Sequence, residues 1–206
     1  MTRWPAPGRC KRRLAKGIGL KKAAYIQQKM TEHTIAVCSL LAKDSLVDIH
    51  LAVSGVSLSS AKKWGKGQGI KHVTTQGEGS LGLRMRRQVI KSQKLFPAPL
   101  RGEKSVILIG TDLPDLSKRD LLDAIEILES KDLAIGPSKD GGYWLIGLSN
   151  RLATPAAAWP FSGIPWGTKE VLGKTLREAR MRKIEAGILN IRNDLDTTED
   201  LKEWQA

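Results

Sequence analysis

The 206-residue chain is long enough to bury a sizeable core, and its 34 basic against 21 acidic residues leave a net charge of +13. Its longest apolar stretch, Ile35 to Ala42, holds a cysteine and a serine and falls far short of the roughly 20 residues a membrane span needs, which excludes a transmembrane helix. Two cysteines without CxxC or CxxH spacing exclude a disulfide framework, and the basic N-terminus lacks the apolar segment of a secretory signal, so a cytoplasmic location is expected.

Taken in chain order, Ala23 to Ala42 carries apolar residues at helical spacing, and Leu46 to Val53 alternates as a strand. A helix over Ala61 to Gly65 with Ser57 or Ser59 near its cap, a short strand at Ile70 to Thr75 and a basic helix from Leu81 to Leu95 follow. Val106 to Ile109 is a continuous apolar run of the kind buried on both faces of a sheet. A helix from Ser117 to Ser130 comes next, with Ser117 and Asp120 as its capping pair, then strands at Leu133 to Gly136 and Tyr143 to Leu148. The pattern predicts a helix from Thr168 to Ala186, a strand at Ile188 to Ile191 and a small closing helix. Strands alternating with helices mean an α/β fold with a largely parallel sheet. No repeat or low-complexity linker interrupts residues 1–206, so a single domain is expected.

The charge is polarised. No acid precedes Glu32, residues 1–31 carry nine Lys and Arg, and residues 84–104 carry seven against one acid. An anionic partner near these two places is expected. The second stretch has no interleaved aromatic apart from Phe96, and no zinc-finger or RNP signature occurs, so nucleic acid is not the expected partner.

Two turns carry the most chemical information. Gly110-Thr111-Asp112-Leu113-Pro114 and Pro137-Ser138-Lys139-Asp140-Gly141-Gly142-Tyr143 each put an aspartate beyond a strand's carboxyl end, where open α/β sheets bind ligands. Pro5-Ala6-Pro7-Gly8-Arg9-Cys10-Lys11-Arg12-Arg13-Leu14 is a proline-restricted loop with four cations. Gly8 permits close backbone approach to a diphosphate, Lys11 offers a point charge and Arg13 a planar fork, although the segment also reads as a basic tail. Asp112, Asp140, Asp194 and Asp196 are hard oxygen ligands suited to Mg2+ or Mn2+ held together with phosphates, while Thr197-Thr198-Glu199-Asp200 equally reads as a helix cap.

Trp166, between Pro165 and Gly167, is the aromatic best placed to stack on a base or sugar, whereas Trp144 reads as core. His33, His50 and His72 form no triad or HExxH signature and are assigned no catalysis. Gly65-Lys66-Gly67-Gln68-Gly69 looks like a dinucleotide loop only superficially, since no convincing strand precedes it.

In order, Pro-x-Pro-Gly-x-x-Lys-x-Arg-Leu (5–14), Gln76-Gly77-x-Gly79-x-Leu81-Gly82-x-Arg84-Met85, Gly110-Thr111-Asp112-x-Pro114-x-Leu116, Asp140-Gly141-Gly142-Tyr143, Trp166-Gly167-Thr168 and Asp194-x-Asp196-Thr197-x-Glu199-Asp200-Leu201 resemble the DUF2064 group of glycosyltransferase-like proteins over nearly the whole chain. One branch of that group is labelled an arsenosugar-biosynthesis glycosyltransferase. The resemblance implies a GT-A, nucleotide-diphospho-sugar transferase-like α/β/α sandwich with a mostly parallel sheet. It further implies transfer of a glycosyl group from a nucleotide diphospho-sugar to a small-molecule acceptor. Asp112 and Asp196 would hold Mg2+ or Mn2+, and Asp140 would serve as base. Pro7, Gly8, Lys11, Arg13, Gly141, Gly142 and Trp166 would line the substrate site.

Phospholactate guanylyltransferases share the fold and a similar Lys-x-Arg-Leu segment, which keeps nucleotidyl transfer from a nucleoside triphosphate as the alternative; a non-catalytic nucleotide-binding protein is the third reading. The chain departs from the family pattern at Arg12, in place of a threonine, and at Ser80, in place of an acid. Met1 also stands almost at the proline loop, where the family carries a strand, which predicts a truncated first strand.

Overall fold

In a computed structural model of the chain, residues 1–96, 104–153 and 159–205 are described, and they form two compact units. One comprises Met1–Thr75, Gly110–Lys118 and Asn193–Ala206; the other comprises Gln76–Ile109 and Arg119–Arg192. No helix among the described residues is long and apolar enough to cross a membrane.

The first unit contains β1 (Thr2–Arg3), α1 (Arg12–Ile18), α2 (Leu20–Lys43), β2 (His50–Ser54), α3 (Leu58–Gly67) and β3 (His72–Thr75). Its three strands lie in sequence order and all run parallel, with Thr2 opposite Val53 and Leu51 opposite Val73. The first strand is therefore present, at two residues. Ile35 from α2 packs with Leu51, Val53, Ala61, Ile70 and Val73, and Trp4 meets Trp64 edge-on at 5.3 Å.

Two boundaries differ from the sequence expectation for one reason. The Ser45 amide donates to Ala42 O and the Leu46 amide to Leu41 O, while Ser45 takes a left-handed φ of 57°. This pair of bonds closes α2 in a Schellman turn and draws Leu46 away from the strand, so β2 starts only at His50. The glycine cluster at 65–69 closes α3 in the same way, with the Ile70 amide on Gly65 O and Gly69 at φ 75°.

The second unit holds α4 (Leu81–Leu95), β4 (Val106–Ile109), most of α5 (Lys118–Ser130), β5 (Leu133–Pro137), β6 (Tyr143–Leu148), α6 (Asn150–Ala153), α7 (Val171–Met181) and β7 (Ala186–Ile188). Its strand order is β4-β6-β5-β7. The short Asp140-Gly-Gly connection makes β5 and β6 an antiparallel hairpin, β4 pairs antiparallel with β6, and β7 runs parallel to β5. Parallel pairing thus dominates the first sheet only. Every residue of β5 is buried, whereas in β4, expected to be buried on both faces, only Leu108 is fully so.

The predicted helix over Thr168 to Ala186 is shorter than expected. Lys183 enters the left-handed region at φ 56°, and the Lys183 and Ile184 amides cap Arg180 O and Ala179 O. Chain freed by this turn starts β7 two residues earlier than periodicity indicates. The chain ends in α8 (Thr198–Gln205), which belongs to the first unit, where Gly17 of α1 stands so close to Thr198 that a Cβ would overlap its methyl group.

Candidate functional site

Within the first unit, four of the residues singled out in the sequence converge. Lys11 is the N-cap of α1 and takes a left-handed backbone, φ 45° and ψ 49°, a conformation that costs a non-glycine residue about 1 kcal/mol or more. Its side chain is 2% exposed, and the ammonium lies 2.5 Å from Asp112 Oδ1, 2.8 Å from Asp196 Oδ1 and 2.7 Å from the Leu195 carbonyl. Three acceptors satisfy its three N–H donors. Arg13, two residues further on, is exposed and donates from one guanidinium nitrogen to Asp196 Oδ2 at 2.5 Å.

The two acids come from turns distant in sequence and are open to solvent, at 43% and 36% side-chain exposure. Burial opposes charge on Asp196, but Lys11 and Arg13 outweigh it and hold its carboxyl below the ordinary range. For Lys11, burial again opposes charge, and Asp112 with Asp196 wins, raising the ammonium above its usual value.

Backbone and cap chemistry place these acids. The Leu195 amide donates to the Asp112 carbonyl, which ties the two turns together. Asp200 accepts from the amides of Asp196 and Thr197 and from the Thr197 hydroxyl, and the Asp200 amide returns a bond to Thr197 Oγ1. That reciprocal pair caps α8. The capping reading of the 194–200 segment holds through Thr197 and Asp200, while Asp196, just ahead of the cap, pairs with Lys11.

On the other side of Asp112, Thr111 enters a buried polar cluster that sequence reasoning missed. Its hydroxyl lies 3.0 Å from Thr2 Oγ1 and receives the Gln27 amide at 3.2 Å, and Thr2 meets Thr31 at 2.9 Å. All four side chains are buried. The signal was visible only as Gln27 and Thr31, one turn apart on the apolar face of α2. His33, two residues on, bonds the Leu116 carbonyl and anchors the far end of the same turn. Gly8 adopts φ 77° with open space where a Cβ would project, and Pro7 beside it is exposed.

Asp140, Gly141, Gly142 and Trp166 belong to the second unit. Asp140 is exposed, and its Oδ1 accepts from the Ser138 hydroxyl at 2.6 Å and from the Gly142 amide at 2.9 Å, which holds the hairpin turn. Gly141 has φ 87°, and a Cβ there would overlap the Lys169 backbone. Trp166 is half-buried, edge-on to Tyr143 at 6.0 Å, and a Cβ on Gly82 would overlap its indole nitrogen. Trp144 is buried, its indole nitrogen on the Asn190 carbonyl.

The basic stretch of 84–104 divides. Arg87 turns onto the carbonyls of Gln76 and Glu78 and Arg84 onto Gln76 Oε1, so both support the 76–79 loop. Arg101 lies outside the described residues. Asp120, in the first turn of α5, is buried and receives Arg192 at 2.5 Å.

No curated protein matches the chain significantly. A candidate nucleotide-diphospho-sugar transferase from Desulfovibrio desulfuricans is 29% identical, with a TM-score of 0.81 over 98% of this chain and 83% of its own. The 4-diphosphocytidyl-2C-methyl-D-erythritol synthase of Anaerococcus prevotii shares the fold, with a TM-score of 0.58 and 13% identity over 100% of this chain and 97% of its own. The chain thus has the α/β fold of nucleotide-diphospho-sugar transferases. Residues 37–168, spanning the Asp112 turn, the Asp140 hairpin and Trp166, match DUF2064, a family described as uncharacterized proteins conserved in bacteria, and the chain belongs to that family.

Proposed function

We propose that the chain is a divalent-metal-dependent glycosyltransferase that moves a glycosyl group from a nucleotide diphospho-sugar to a small-molecule acceptor. One observation carries this reading. Asp112 and Asp196 meet on the single ammonium of Lys11, with solvent on their outer side and the exposed Arg13 guanidinium beside them. The likeness to the Desulfovibrio desulfuricans protein supports it.

Among the described residues no group of three or more His, Cys, Asp or Glu side chains could hold a metal. Two carboxylates nevertheless suit Mg2+ or Mn2+, because these ions keep several waters and complete their shell with substrate phosphates. Asp112 and Asp196 are that pair. The bound ion would neutralise charge that develops on the departing diphosphate.

Arg13 is the phosphate contact. Its guanidinium is 66% exposed and spends one nitrogen on Asp196, which leaves the rest of its fork for phosphate oxygens. Asp140 is the acceptor-side base: Ser138 and Gly142 orient its exposed carboxylate while engaging only Oδ1. Trp166, with Gly82 packed against it, supplies an aromatic edge for the sugar or base.

The purified chain, offered a panel of sugar nucleotides and nucleoside triphosphates with Mn2+, should release nucleoside diphosphate, and excess EDTA should stop it. Release of pyrophosphate from a triphosphate would assign nucleotidyl transfer instead. Turnover undiminished by EDTA would refute the metal dependence.

A further inference from the structure

We propose that Lys11 is the cation already seated between Asp112 and Asp196, so that a divalent ion takes this carboxylate pair only by displacing the Lys11 ammonium. The inference rests on the reading of these two acids as the metal-holding pair, and it gives Lys11 a role other than reaching out to phosphate.

Three of the four carboxylate oxygens are occupied. Lys11 takes Asp112 Oδ1 and Asp196 Oδ1, and Arg13 takes Asp196 Oδ2. The two cations and two anions sum to zero, so an incoming divalent ion meets no net attraction and faces an ammonium against the oxygens it needs. Lys11 is not a mobile surface chain: its side chain is 2% exposed, all three N–H groups have acceptors, and its backbone is held in the left-handed region that aims it there. Arg13, by contrast, is 66% exposed and can turn to a phosphate while Lys11 stays. Phosphate arriving at this edge adds the negative charge that the neutral cluster lacks. Metal and nucleotide would accordingly enter together, each weak alone.

Electron paramagnetic resonance of free Mn2+ titrated with the full chain, without nucleotide, tests this directly. Lys11→Met removes the ammonium and keeps an unbranched apolar side chain in the socket. It should bind Mn2+ at least about tenfold tighter than wild type, because the cluster then carries a net negative charge. Adding Asp112→Asn to Lys11→Met should abolish that gain. Equal or weaker Mn2+ binding by Lys11→Met would overturn the inference, as would a gain that survives Asp112→Asn. If circular dichroism shows Lys11→Met unfolded, Lys11→Gln, which can keep a hydrogen bond to the Leu195 carbonyl, gives the same comparison and decides it. The metal-dependent reading fails separately, if wild type turns over in excess EDTA. Metal-dependent turnover without a Lys11→Met gain refutes only the displacement.

Discussion

The Leu195 amide donates to the Asp112 carbonyl at 2.9 Å, and this one backbone bond joins two turns more than eighty residues apart. Lys11 then bridges their side chains, so the acids are held twice, once through the main chain and once through a shared ammonium. An arrangement fastened from the backbone persists when one side chain is changed, which makes the contributions separable by mutation.

Asp112→Asn keeps the shape of the side chain and an oxygen for Lys11 but removes the charge. Turnover of sugar nucleotides should fall by at least about 100-fold, the scale of losing one group that stabilises transition-state charge. Stability should change by no more than about 1 kcal/mol, because the carboxylate is 43% exposed and Lys11 keeps Asp196 and the Leu195 carbonyl. Urea unfolding beside the rate assay separates the two effects, and a wild-type rate in this variant would remove Asp112 from the site.

Thr31→Val is nearly isosteric and withdraws the hydroxyl that faces Thr2 and Thr111 at the heart of the buried cluster. Leaving buried polar groups short of partners costs about 1–3 kcal/mol each. Because Thr111 directly precedes Asp112, Mn2+ affinity in the presence of nucleotide should weaken along with stability. Thr31→Ser, which restores the hydroxyl, should recover the affinity; a purely structural role would leave affinity untouched in both.

Gly82→Ala inserts a methyl group where the Phe161 carbonyl and the Trp166 indole nitrogen already stand. Overpacking of this kind costs about 1–3 kcal/mol. The change should also shift Trp166 fluorescence and raise KM for the sugar nucleotide more than it lowers kcat, since it moves the proposed sugar or base contact rather than the acids proposed to hold the metal. A variant with unaltered fluorescence and KM would show that Gly82 and Trp166 do not pack as described.

Removing Asp120 should be more damaging to the fold than Asp112→Asn. Its side chain is 6% exposed and receives the Arg192 guanidinium, so Asp120→Ala takes away the carboxylate that faces a largely buried cation. The expected loss is about 3 kcal/mol in urea unfolding. Asp120→Asn should lose less, and an unchanged midpoint in the alanine variant would mean that the pair contributes nothing.

The elements easiest to anticipate were those whose ends coincide with a change of chemistry. Leu81–Leu95 starts after the Ser80 cap, and Tyr143–Leu148 follows the glycine pair. Errors fell where a helix ends without glycine. Ser45 and Lys183 occupy left-handed cap positions that composition assigns to glycine, so periodicity alone carried the first strand expectation too early and the α7 expectation too far. At the site, Asp112, Asp196, Lys11 and Arg13 were legible as motif residues, because each is a charged group beside a turn signal. Thr2, Gln27, Thr31 and Thr111 were not, since isolated polar residues on mostly apolar faces look like surface positions until the fold brings them together. The same limit hid Arg192 as the partner of Asp120.

Lys11 and Asp196 also give the first unit a pH window. Burial opposes charge on Asp196, yet Lys11 and Arg13 hold its carboxyl below the ordinary 3.8. Burial likewise opposes charge on Lys11, yet Asp112 and Asp196 hold its ammonium above the ordinary 10.5. A carboxyl lowered by folding adds stability that is fully present above 3.8 and is lost as pH falls through its folded value. An ammonium raised by folding adds stability that is fully present below 10.5 and is lost as pH rises through its folded value. The contribution of this cluster to the urea midpoint should therefore be level between those limits and decline outside both. Asp196→Asn should make the acid decline shallower, because the carboxyl responsible is gone. It should also make the alkaline decline begin earlier, because Asp112 is then the one carboxylate of the pair left to favour the Lys11 ammonium. Midpoint profiles of wild type and variant that coincide at both ends would show that these ion pairs do not form in solution.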